Sequence, residues 1–107
     1  MIIRARTFKG WLTSQFYRGE LRDIADYGAD TGYPKLTWTS DCVKLFDKFG
    51  DEIWDLAYKE AQKFGCRSVP ELISQFRRAD MADSLDGFKN LMVWFAAETY
   101  ARELTDA

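Results

Sequence analysis

Apolar residues recur at three- and four-residue steps along almost the whole chain, which is the period of amphipathic helices packed against a core. Phe8, Trp11, Leu12 and Phe16 form the first such stripe, with Thr7 placed to cap it and Gly19 to stop it. A second short helix is expected over about residues 20–27, ELRDIADY, where Leu21, Ile24 and Ala25 share a face and Gly28 ends the run. Ser40 or Thr39 can cap a third, DCVKLFDKF, with Asp41 in its first turn, Lys48 in its last, Gly50 beyond, and Phe46 and Phe49 facing inward with Cys42 and Val43 beside them. Residues 51–64 open with Asp51, Glu52 and Asp55 and close with Lys59 and Lys63, as the helix dipole favours, around a stripe of Ile53, Trp54, Ala57, Ala61 and Phe64 before Gly65.

Ser68 and Glu71 have capping-box spacing, so a fifth helix starts at SVPE, buries Leu72, Ile73 and Phe76, and closes on Arg77 and Arg78. The last helix should begin near Asp83 or Ser84 and run to about Leu104. It differs in kind, because Leu85, Phe88, Leu91, Met92, Val93, Trp94, Phe95, Ala96, Ala97 and Ala101 leave it apolar almost all round. A helix with no polar face is contacted from several sides. The expected fold is therefore all-α: a bundle of about six helices around a buried C-terminal helix, in one domain spanning residues 1–107, with at most a very short strand near residues 36–38.

The stretch DYGADTGYPKLTWTSD, residues 26–41, is the one long interruption. Asp26 and Asp30 give it the look of a calcium loop, but Thr31 and Thr37 stand where such a loop needs glycine and a bidentate glutamate. It reads as a connection carrying Tyr27, Tyr33 and Trp38, residue types that anchor protein interfaces. Trp38 is either a lid on the core or a contact for a partner.

Composition narrows the chemistry. With 47% hydrophobic and 16% aromatic residues in 107 positions, the chain has enough apolar surface for one core. A net charge of −2 argues against nucleic acid as the main partner. The charge is uneven: residues 1–19 hold Arg4, Arg6, Lys9 and Arg18 and no acid, whereas residues 20–55 hold nine acids against four bases. The absence of histidine removes histidine-based triads, and no glycine-rich phosphate loop is present. Cys42 and Cys66 alone make a poor zinc site and are expected as reduced, buried thiols, and no cofactor is expected. Asp80, Asp83 and Asp86 recur every third residue and could hold a metal, but their place at the start of the last helix favours capping. No apolar run approaches the ~18 residues of a membrane span, and the basic N-terminal stripe is assigned to the core instead of a membrane surface.

The strings TFKGWL, DIADYGADTGYPKLTWTSD, FDKFGDEIWDLA and DGFKNLMVWFAAE, spread over most of residues 7–103, resemble a family of small uncharacterised proteins of phages and mobile elements of Proteobacteria. The resemblance implies an accessory protein of the bacterial cytoplasm, and proteins of that kind often block host defences such as CRISPR-Cas. The expected activity is then non-enzymatic binding, anti-CRISPR-like, to a host protein or ribonucleoprotein defence complex. Its expected contacts are the acidic and aromatic residues Asp23, Asp26, Asp30, Tyr33, Trp38, Asp47, Asp51 and Glu52. Two alternatives remain: a homo-oligomeric module, such as a homodimer, and a metal-dependent enzyme using Asp80, Asp83 and Asp86.

Overall fold

The computed structural model describes residues 1–75 and 82–106. Six helices form in order: α1 (Phe8–Gln15), α2 (Arg18–Tyr27), α3 (Pro34–Thr37), α4 (Thr39–Lys63), α5 (Val69–Ser74) and α6 (Leu85–Thr105). Thr7 caps α1 as its position suggests, its hydroxyl oxygen accepting from the Gly10 N–H at 2.9 Å. Ser84 caps α6 in the same way, accepting from Gly87 at 3.0 Å. At α5 the capping box forms only in part. Ser68 accepts from the Glu71 N–H at 3.3 Å, but the Glu71 carboxylate reaches past Ser68 to the Arg67 N–H at 2.8 Å. Phe76, Arg77, Arg78 and Asp80 lie outside the described residues.

Several expectations change; Gly19, expected to stop the first helix, lies inside α2. Thr39–Lys63 is one helix with a kink at Phe49 (φ −120°, ψ 30°), where the sequence suggested two helices parted by Gly50. A glycine stop needs a left-handed backbone; among the described glycines only Gly28, Gly32 and Gly65 have positive φ, so the chain bends at Gly50 without ending the helix. The kink turns Phe49 inward against Phe8, with ring centroids 6.4 Å apart. At residues 36–38 there is a helical turn and no strand. Pro34 opens it with its fixed φ, and the Leu36 and Thr37 N–H groups both donate to the Tyr33 carbonyl, at 2.9 and 3.1 Å.

The axle is α6. Residues 91–97 are buried without a break, nearly two full turns, so every face of the helix is covered. The long helix α4 supplies its largest interface, and α2 and α3 cover further sides. Ala57 and Ala61 of α4 and Ala96, Ala97 and Ala101 of α6 are fully buried, and such small side chains let helix axes approach closely. Trp94 and Phe95 are 7% and 4% exposed, as a central helix requires. The stripe read for residues 51–64 is only half right: Ile53, Ala57 and Ala61 are buried, while Trp54 and Phe64 are 41% and 51% exposed. Leu56, which that reading left out, is core instead, as is Leu45 in the segment before it.

One ion pair is built into this core. Glu60, 1% exposed, accepts from the Thr99 hydroxyl at 2.8 Å and pairs with the Arg102 guanidinium, whose pKa burial lowers from its ordinary value. Removing Arg102 would leave a buried unpaired carboxylate, a loss of about 3–5 kcal/mol.

Cys42 and Cys66 are free and buried, as expected of structural thiols. Burial pushes the Cys42 thiol up to about 12 from 9.0. The folded state then holds a proton that the unfolded chain releases, so this contribution to stability is full below pH 9 and is lost as pH rises toward 12. In a Cys66→Ala protein the remaining thiol is expected to react with an aromatic disulfide reagent only at the rate of unfolding. Urea stability should fall more steeply above pH 9 than in the variant lacking both thiols. Rapid labelling of the folded protein, or identical pH slopes, would contradict this environment for Cys42.

A candidate protein-binding surface

Gly28 ends α2 at φ 99°, its N–H donating to the Ile24 carbonyl at 3.0 Å. That left-handed turn delivers Ala29 into the core at 1% exposure, where its N–H donates to the Glu98 carboxylate of α6 at 3.1 Å. A Cβ on Gly28 would stand 3.3 Å from the same carboxylate, so glycine suits both the turn and the close approach. The loop is pinned again at Leu36, which is fully buried. Between and beyond these pins, Tyr33 and Trp38 come to the surface.

Tyr33 is half-buried. Its ring packs edge-on against Phe16, centroids 5.5 Å apart, and its hydroxyl donates to Asp23 at 3.1 Å. Burial first, then the bond to Asp23, raises its pKa. Trp38 is the single residue joining α3 to α4. Its N–H donates to the Pro34 carbonyl at 2.9 Å, and its own carbonyl accepts from Asp41 and Cys42 at 3.1 and 3.2 Å. Neither Thr39 nor Ser40 caps α4; Trp38 occupies the cap position with no side-chain bond to the helix. Its backbone is fixed on both sides while its indole is 61% exposed, so Trp38 is not a core lid.

Tyr33 and Trp38 both line an open cleft of ≈ 720 Å³ whose other walls include Ile2, Phe16, Glu20 and Asp41. Asp23 borders it through its bond to Tyr33, and Asp26 is exposed further along α2. Asp30 is half-buried beside Gly28, and with Tyr27 it lines a smaller hollow of ≈ 170 Å³ against α6.

The remaining acids expected at a partner surface lie along α4 and do not line the cleft. Asp47 is paired with Lys89 at 2.6 Å, and Asp51 is exposed. Glu52 is committed to the fold: its two carboxylate oxygens accept from the Phe8 and Lys9 N–H groups at 2.8 and 3.0 Å, closing the N-terminus of α1 from another helix. Glu20 and Asp41, which do line the cleft, went unnoticed in the sequence because each suits a first helical turn. The one available signal was that both fall in the acidic run 20–55 flanking the aromatic loop.

Of the three aspartates weighed for a metal, Asp80 lies outside the described residues, and Asp83 and Asp86 are exposed, Asp86 in the first turn of α6. Among the described residues no group of three or more Cys, Asp or Glu is placed to hold an ion, and no helix is long and apolar enough to cross a membrane.

Glu52→Ala is expected to cost about 1–2 kcal/mol in urea unfolding, because two N–H groups at the head of α1 lose their acceptor. Glu52→Gln, which keeps one acceptor oxygen, should cost less. Equal stability of Glu52→Ala and wild type would contradict this anchoring of α1.

No curated protein and no solved structure matches the chain. Residues 2–107 match the family described as a Domain of unknown function (DUF7222), and the chain belongs to that family.

Proposed function

We propose that the chain is a non-enzymatic protein-binding module of a phage or mobile element, acting in the bacterial cytoplasm on a host protein or ribonucleoprotein defence complex. The observation that carries the binding role is Trp38: 61% exposed, fixed through its backbone at a helix junction, and set beside Tyr33 on a ≈ 720 Å³ cleft. An aromatic side chain on a rigid backbone gives up little entropy on binding and contributes a large contact area. The exposed acids of residues 20–55, Asp23, Asp26 and Asp51 among them, favour a basic surface on the partner and would speed encounter with it. The defence complex as target rests on the resemblance of the sequence strings, and inhibition would follow if the module covers a subunit-docking or nucleic-acid surface.

A second reading is a homodimer, favoured by Trp54 and Tyr58 of α4 and Phe64 just past its end, all exposed. Light scattering that gives a concentration-independent monomer mass would remove it.

The purified chain, mixed with candidate defence effector complexes, is expected to co-elute with one of them and abolish its binding to target DNA. Trp38→Ala should weaken that association by about 30-fold or more without altering the thermal transition. No association with any such complex would overturn the defence role. A Trp38→Ala protein that binds as tightly as wild type would overturn the assignment of the surface.

A further inference from the structure

We infer that the cleft beside Trp38 takes an arginine side chain projecting from the protein partner. The inference rests on the protein-binding role proposed above and specifies what that surface reads. Its walls combine aromatic rings with carboxylates: Phe16, Tyr33 and Trp38 on one count, Glu20 and Asp41 on the other. Trp38 and Asp41 sit three residues apart at the head of α4, joined through the Asp41 N–H to the Trp38 carbonyl at 3.1 Å.

The two acids are free to receive a cation. Asp41 is half-buried, and among the described residues nothing donates to its carboxylate. Glu20 spends one oxygen, Oε1, on the Tyr17 N–H at 2.8 Å and leaves the other. Two cations also line the cleft: Lys35, tied by its Nζ to the Gln15 side-chain oxygen, and the α-ammonium of Met1.

This donor and acceptor pattern selects among ligands. A phosphate or carboxylate would meet Glu20 and Asp41 as like charges. A purely apolar plug would strip water from both carboxylates and give them no partner. A guanidinium meets each requirement at once: its flat face stacks on an exposed indole, and its forked N–H groups pair with carboxylate oxygens. A lysine ammonium can do the second but stacks less well and keeps its water more tightly.

The test uses the full chain, nitrogen-labelled, with capped Gly-Gly-Arg-Gly-Gly and the same peptide carrying citrulline or lysine in place of arginine. The readout is the indole N–H resonance of Trp38, assigned by its loss in Trp38→Phe. The arginine peptide should move this resonance saturably, at concentrations about tenfold lower than citrulline requires, with lysine between them. Asp41→Asn should erase the preference for arginine over citrulline while the indole resonances of Trp11 and Trp94 stay in place, which shows that the variant is folded. Equal titrations by arginine and citrulline, equal titrations by arginine and lysine, or no movement of the Trp38 resonance would overturn the inference. Its failure is separable from that of the wider proposal: if Trp38→Ala loses a cognate partner and Asp41→Asn keeps it with unchanged affinity, the binding surface stands and the arginine falls.

Discussion

A single backbone carbonyl, that of Leu36, fixes how the surface helices meet the core. The helix α3 is one turn long, too short to satisfy its own last carbonyls, and the burial of Leu36 carries one of them inside. An unmet carbonyl there would cost about 1–3 kcal/mol. Three donors converge on it instead: the Asn90 amide at 3.3 Å and the Trp94 indole N–H from α6, and the Cys42 thiol from α4 at 3.1 Å. The Asn90 Oδ1 has no partner, which is a cost the knot carries. Because two helices hold the same oxygen, the α3–α4 joint has one position. Trp38 follows two residues later, with its indole outside the core.

The same logic of distant groups satisfying helix ends recurs elsewhere in the fold. Glu52 closes the head of α1, the Glu98 carboxylate of α6 holds Ala29 past the end of α2, and Arg22 donates to the Thr105 carbonyl at the end of α6 at 2.8 Å. Each of these side chains is charged, and each spends its charge on backbone groups, where a charged hydrogen bond is stronger than a neutral one. Of the acids that the sequence reading hands to a partner, Glu52 is therefore structural. The proposed recognition surface rests on the smaller set around the cleft.

Most of the architecture was legible because the strongest signals were periodic. The all-round apolar run of 85–104 announced α6, and the Thr7 and Ser84 caps stood where single side chains can act alone. The failures share a cause: they depend on contacts between residues far apart in sequence. Gly50 looks like a stop until Phe49 is seen to pack on Phe8. Residues 36–38 look extended until Asn90 and Trp94 are seen to donate to the Leu36 carbonyl. Glu52 looks like a surface acid until the head of α1 arrives beside it. The candidate site was legible as a loop with aromatics, but neither the cleft nor Glu20 and Asp41 as its acids could be read, since Ile2, Phe16, Tyr33 and Asp41 meet only in three dimensions.

Hydrogen exchange of the indole N–H groups tests the Leu36 knot most directly. The account predicts that the Trp94 indole N–H, bonded to Leu36 and buried, exchanges only through global unfolding, with a protection free energy equal to the denaturant-derived stability. The exposed Trp38 indole should exchange at the rate of a free side chain. Rapid exchange at Trp94 in the folded protein would mean that the carbonyl is not held, and would contradict the placement of α3, of the α3–α4 joint and of Trp38.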